Sequence, residues 1–115
     1  MHVPGSYRNR QRLVFVILSM HYSDFLHAVS AGQLPEGISV QLQSLWYDAR
    51  GDWHKAHDLV NDLNDPSSAH IHAYLHRKEG DQGNARYWYS RAGKTPCSLP
   101  LTDEWEMLVK LYGAS

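Results

Sequence analysis

Between Ser44 and Ala92 one pattern occurs twice, and this constrains the fold more than any other feature. The segments LWYDARGDWHKAHDLVNDL and AYLHRKEGDQGNARYWYSRA align with Gly51-Asp52 over Gly80-Asp81 and Ala56 over Ala85, an offset of 29 residues at each point. A fixed period within about 20–50 residues marks stacked supersecondary units, each too small to bury its own apolar face. A Gly-Asp pair between two helical patterns does two jobs in one corner. Glycine takes the left-handed conformation that ends the first helix, and the aspartate accepts from the free N–H groups that begin the second. The doubled corner therefore predicts two helical hairpins.

The rest of the chain reads the same way. Ser23–Ala31 is expected to be helical, with Phe25, Leu26, Val29 and Tyr22 on one face, Ser23 or Asp24 as cap and Gly32 at its end. Leu34 to Gly37 forms a turn. A helix over about 38–50 carries Ile38, Leu42, Leu45 and Trp46 on one side, and one over about 53–63 carries Trp53, Ala56, Val60 and Leu63. Asp65 followed by Pro66 is a helix start, because proline's missing N–H is no loss in the first turn. It opens a helix over about 66–78, and a further helix over 82–92 presents Ala85, Trp88, Tyr89 and Ala92 before Gly93. After a loop containing Pro96 and Pro100, Thr102 or Asp103 caps a last helix whose stripe is Trp105, Leu108, Val109 and Tyr112. We read that helix as the cover of the exposed end of the stack. No two-residue alternation survives, so the expected class is all-α, built of antiparallel hairpins.

Composition narrows the function. The chain has 115 residues, a formal net charge of −1 and a single cysteine, Cys97. One domain of this size can bury a core unaided. A balanced charge recruits neither nucleic acid nor an acidic membrane by its field. One cysteine allows no internal disulfide and no CxxC metal site, and a reducing cytoplasm is the simple expectation. Residues 1–19 carry Arg8, Arg10 and Arg12 ahead of the short apolar run LVFVIL. That run is too short to span a bilayer, and no small-x-small cleavage site follows it. Its readings are a buried element, a secretion signal, or an over-extended start with Met20 as initiator. We take 1–19 as a flexible or non-native extension and 20–115 as the single helical-repeat domain.

These residues resemble a tetratricopeptide repeat. Ala73 falls on that family's small residue in the first helix and Gly80 on its turn glycine. Ala85, Tyr89 and Ala92 fall on the small–aromatic–small stripe of the second helix, and Pro96 lies near the closing proline. The first copy matches in part, through Ser44, Gly51, Trp53, Ala56, Val60 and Leu63. The wording of the doubled segment also resembles a family of small uncharacterised bacterial proteins of tetratricopeptide-like structure. The resemblance implies a right-handed stack with a C-terminal capping helix, and an inner face that binds extended peptides. The period is shorter than that family's usual one. Two packing positions usually held by Leu and Tyr are His72 and His76.

Several residues are candidates for chemistry. His72 and His76 are four apart on a helix, so their rings share a face, and His57 sits at the edge of the preceding helix's stripe. Three imidazoles with Trp88 nearby are a candidate ligand or metal pocket, and partly buried structural histidines are the alternative. The glutamate of H-E-x-x-H is missing, so a zinc protease motif is absent and no catalytic residue, metal ligand or cofactor is assigned. His70, Tyr74, Arg77 and Lys78 would line the inner face if the tetratricopeptide geometry holds. In Arg86-Tyr87-Trp88-Tyr89-Ser90-Arg91, helical spacing sends Trp88 and Tyr89 inward and leaves Tyr87 and Arg91 as a surface pair. The expected function is therefore a protein–protein interaction module that binds a peptide segment or a second copy of itself. A small-ligand or metal-binding protein, or an enzyme, using His57, His72 and His76 is the alternative.

Overall fold

A computed structural model describes residues 20–113 of the chain. Among the described residues there are six α-helices and no strand. They are α1 (Tyr22–Ala31), α2 (Val40–Ala49), α3 (Trp53–Asn61), α4 (Pro66–Lys78), α5 (Gln82–Ala92) and α6 (Leu101–Tyr112). The all-α expectation holds. The expected extension 1–19 lies outside the described residues.

The two Gly-Asp corners share one hydrogen-bond pattern. Gly51 N–H donates to Asp48 O at 2.9 Å and Asp52 N–H to Tyr47 O at 2.9 Å. Twenty-nine residues on, Gly80 N–H donates to Arg77 O at 3.1 Å and Asp81 N–H to His76 O at 2.9 Å. This is the paired closure that satisfies the last carbonyls of a helix. Gly51 and Gly80 sit at φ 87° and 88°. Asp52 and Asp81 then cap α3 and α5, accepting from Lys55 N–H and Asn84 N–H at 3.1 and 3.2 Å.

A Cβ added at Gly80 would meet nothing within 4 Å, so only the backbone opposes a side chain there. Gly80→Ala is expected to cost about 1–2 kcal/mol. Gly83 lies inside α5, where an added Cβ would meet only Asp81 Oδ1, 4.0 Å away. Gly83→Ala should stabilise by about 0.5–1 kcal/mol, by restricting the unfolded chain. Urea midpoints of the two variants should move in opposite directions.

Sequence neighbours pack on each other, α2 on α3, α3 on α4 and α4 on α5, and α2 also meets α4. Helix α6 does not simply follow α5. It lies against α2 and α4, where the Trp105 indole donates to Leu45 O at 3.0 Å. Helix α1 joins through Phe25 and Tyr22, whose rings stand 5.9 and 6.1 Å from that of Trp105. The main core contains Phe25, Leu42, Leu45, Trp46, Val60, Ile71, Leu75, Leu108 and Val109. Each such side chain contributes about 1.5–3 kcal/mol on burial.

Helix α4 is the centre. Every residue from Ser68 to His76 is buried, because α2, α3, α5 and α6 surround it. Its polar residues are therefore drawn into the interior, and this brings the histidines to one another.

Three local expectations need correction. Helix α1 is capped at His21, whose N–H donates to the Asp24 carboxylate at 3.1 Å, so Asp24 reaches back rather than starting the helix. Leu26 is 39% exposed and stands off the core stripe. Helix α6 starts at Leu101 behind Pro100, with Asp103 and Glu104 in its first turn and no side-chain cap.

Candidate functional site

Two helices bring three imidazoles to one place, and a third helix adds an indole. His57 comes from α3, one turn after Trp53, and the two rings stack at 4.9 Å and 12°. His72 and His76 come from α4, one turn apart, and stack at 4.9 Å and 19°. His57 stands edge-on to both, at 4.7 and 5.3 Å. From α5, Trp88 lies flat on His72 at 3.9 Å and 15°. The Trp53 indole N–H donates to Leu75 O at 2.8 Å, which fixes the Trp53 ring beside His57. The expected convergence of His57, His72, His76 and Trp88 is present.

The nitrogens are closer than packing alone demands. His57 Nε2 and His72 Nε2 are 3.0 Å apart. One ring nitrogen from each of the three histidines lies within 4.8 Å of the others. His76 Nδ1 is 2.7 Å from Glu79 Oε1 and 3.9 Å from Asp81 Oδ2, which leaves its Nε2 free of that carboxylate. His72 Nδ1 is buried with no partner among the described residues. A buried polar atom without a partner is uncommon in a merely structural cluster.

Burial and crowding favour the neutral form of His57 and His72. Burial lowers the His72 pKa to about 4, with the neighbouring His57 and His76 pushing the same way. His57 is lowered too, first by partial burial and then by His76. Two neutral rings 3.0 Å apart must share one proton, donor on one side and acceptor on the other. A tautomer shift on the donor ring would free both Nε2 lone pairs for a Lewis acid.

The other sequence candidates serve α2 and α6 instead. His70 Nδ1 is 2.8 Å from the Tyr112 hydroxyl, and burial, helped by Lys94, lowers its pKa to about 4. Tyr74 donates to Asp48 Oδ2 at 2.7 Å and Lys78 to Asp48 Oδ1 at 2.9 Å. Burial and then the Asp48 charge drive the Tyr74 hydroxyl pKa upward. Arg77 donates to Glu104 Oε1 at 2.8 Å and also to Leu99 O. Tyr89 donates to Glu104 Oε2, so the fully buried Glu104 is bonded on both oxygens. Tyr87 and Arg91 form the expected surface pair, at 3.0 Å.

Sequence reasoning missed Glu79, the His76 partner. Its signal is the three-residue spacing on α4, which places a carboxylate one turn beyond an imidazole. It also left Asp48 and Glu104 unassigned.

A separate groove of about 670 Å³ opens between α1, α2, α4 and α6, lined by Tyr22, Leu26, Asp48, Tyr74, Lys78 and Trp105, among others. No helix of the described residues is long and apolar enough to cross a membrane. By its fold, the described chain is a small all-helical globular protein of six helices. No protein-family model, curated protein or solved structure matches it.

Proposed function

We propose that this chain is a tetratricopeptide-like helical module that binds a small ligand in the pocket of His57, His72 and His76. The repeat reading is supported by the matching hydrogen bonds at the Gly51-Asp52 and Gly80-Asp81 corners and by the packing of α2 on α3 and of α4 on α5. The binding reading is carried by one observation: three imidazoles from two helices meet between two indoles, with a buried nitrogen that has no partner among the described residues. By contrast, His70, Tyr74, Arg77 and Lys78 each already have an intramolecular partner. An inner row with its donors engaged is poorly placed to grip a peptide.

Thermal unfolding of the wild type and of His57→Ala tests the proposal. Each is measured against divalent metal ions, inorganic phosphate and short mono- and dicarboxylic acids. His57 is only partly buried, so the variant should fold. A stabiliser whose effect disappears in His57→Ala is expected. A panel that leaves the wild-type Tm unmoved would return the histidines to a structural role.

An interaction module remains a second reading, and the 670 Å³ groove favours it. Its lining includes the exposed Leu26 and the buried Trp105. The notion of a second copy of the chain as occupant requires a dimer in light scattering that Leu26→Asp dissociates.

A further inference from the structure

We infer that the imidazole pocket is a three-nitrogen site for a divalent late transition metal ion, zinc foremost, with Glu79 as the residue that positions His76. The inference rests on the reading of the pocket as the binding site.

The donor set argues for the ion class. Imidazole nitrogens favour zinc, copper, nickel and iron, whereas magnesium and calcium want oxygen. Three protein nitrogens plus one open position is the ligand count of a zinc site that keeps a place for water or for a ligand atom. With Zn–N bonds of about 2.0–2.1 Å, tetrahedral geometry sets ligand nitrogens about 3.3 Å apart. His57 Nε2 and His72 Nε2 already stand at 3.0 Å. The widest separation in the triad is no more than 4.8 Å, which a ring rotation closes.

The surroundings argue for a built site. A metal-bound histidine nearly always donates its other N–H to a carboxylate, carbonyl or water, which fixes the tautomer. The His76 Nδ1 to Glu79 Oε1 contact of 2.7 Å supplies that bond and assigns Nε2 as the metal donor. Trp53 stacked on His57 and Trp88 stacked on His72 hold two rings from behind and form an apolar shell. The His57–His72 contact is one that a cation would replace without loss, since each nitrogen then gives its lone pair to the metal. His76, Glu79 and Asp81 also cluster, but their carboxylates are exposed and already face His76 Nδ1. They belong to the support of the site.

Calorimetric titration of Zn²⁺ and Mg²⁺ into the metal-free chain tests this at neutral pH, with the wild type, His57→Ala and Glu79→Gln. The wild type should bind one zinc per chain and no magnesium. His57→Ala should abolish the tight phase. Glu79→Gln should weaken zinc about 10–100-fold, and Glu79→Asp should recover part of the loss. A merely structural Glu79 would leave the zinc affinity unchanged in the folded variant, and that result overturns its positioning role. Absence of zinc binding by the wild type overturns the metal inference alone. The pocket reading would then be judged by the phosphate and carboxylate arms of the thermal series. Zinc held equally by the wild type and His57→Ala would place the ion elsewhere and also overturn it.

Discussion

Acidification from pH 7 to pH 4 is expected to unfold the metal-free protein, through two histidines that the fold keeps neutral. Burial lowers His70 and His72 from 6.5 to about 4. The unfolded chain takes up a proton on each below about pH 6.5, whereas the folded chain does not until about pH 4. Stability contributed by their neutral state is therefore complete above pH 6.5, falls as the pH drops through that window and levels off below it. Each group is worth up to about 3 kcal/mol over the whole window, at 1.36 kcal/mol per unit. Two such losses are large against a typical total of about 5–15 kcal/mol. His57 shifts in the same direction and adds to the slope. Urea midpoints should be flat above pH 7 and fall steeply from pH 6.5 to 5. His70→Phe and His72→Phe should each remove about one proton from that slope. A midpoint unchanged down to pH 5 would show that these rings are not held neutral.

Loss of the Arg77 guanidinium should be the most damaging single polar change. Glu104 is fully buried, with Arg77 on one oxygen and the Tyr89 hydroxyl on the other. Arg77→Met leaves a carboxylate in the interior with one neutral partner. Breaking a buried pair from one side costs about 3–5 kcal/mol. Glu104→Gln removes the charge and keeps an acceptor for Tyr89. The double variant Arg77→Met with Glu104→Gln should therefore lose less than the sum of the two single variants, by about 1–3 kcal/mol of coupling. A urea double-mutant cycle measures this. Additive losses would mean that the pair is not coupled in the folded state.

The parts of the fold that depend on local chemistry were legible in the sequence. Asp65-Pro66 starts α4 and Gly80-Asp81 separates α4 from α5 at the residues expected, because caps and left-handed glycines act within one turn of chain. The start of α6 was not legible. Thr102 and Asp103 look like caps, yet Pro100 precedes the helix and Pro100 O accepts from Asp103 and Glu104 N–H. The stripe on α4 understated its burial, since periodicity shows one apolar face and cannot show that four helices surround a polar one.

The same limit divides the site. His72 and His76 share a face by spacing alone, and His57 could be placed on the adjoining helix. Which nitrogens approach, and that Glu79 holds one of them, depends on how α3 crosses α4. Asp48 and Glu104 had no role assigned from sequence for a related reason. A lone acid in a helix reads as surface until a partner from a distant helix is known, and Lys78 and Arg77 lie 30 and 27 residues away from them.

Long-range nitrogen-15 spectra of the histidine rings, recorded as one equivalent of Zn²⁺ is added, test the central claim most directly. Nε2 of His57, His72 and His76 should shift together and saturate at one zinc per chain, while His70, bonded to Tyr112, stays in place. Rings that respond separately, or a titration that leaves all three unmoved, would contradict it.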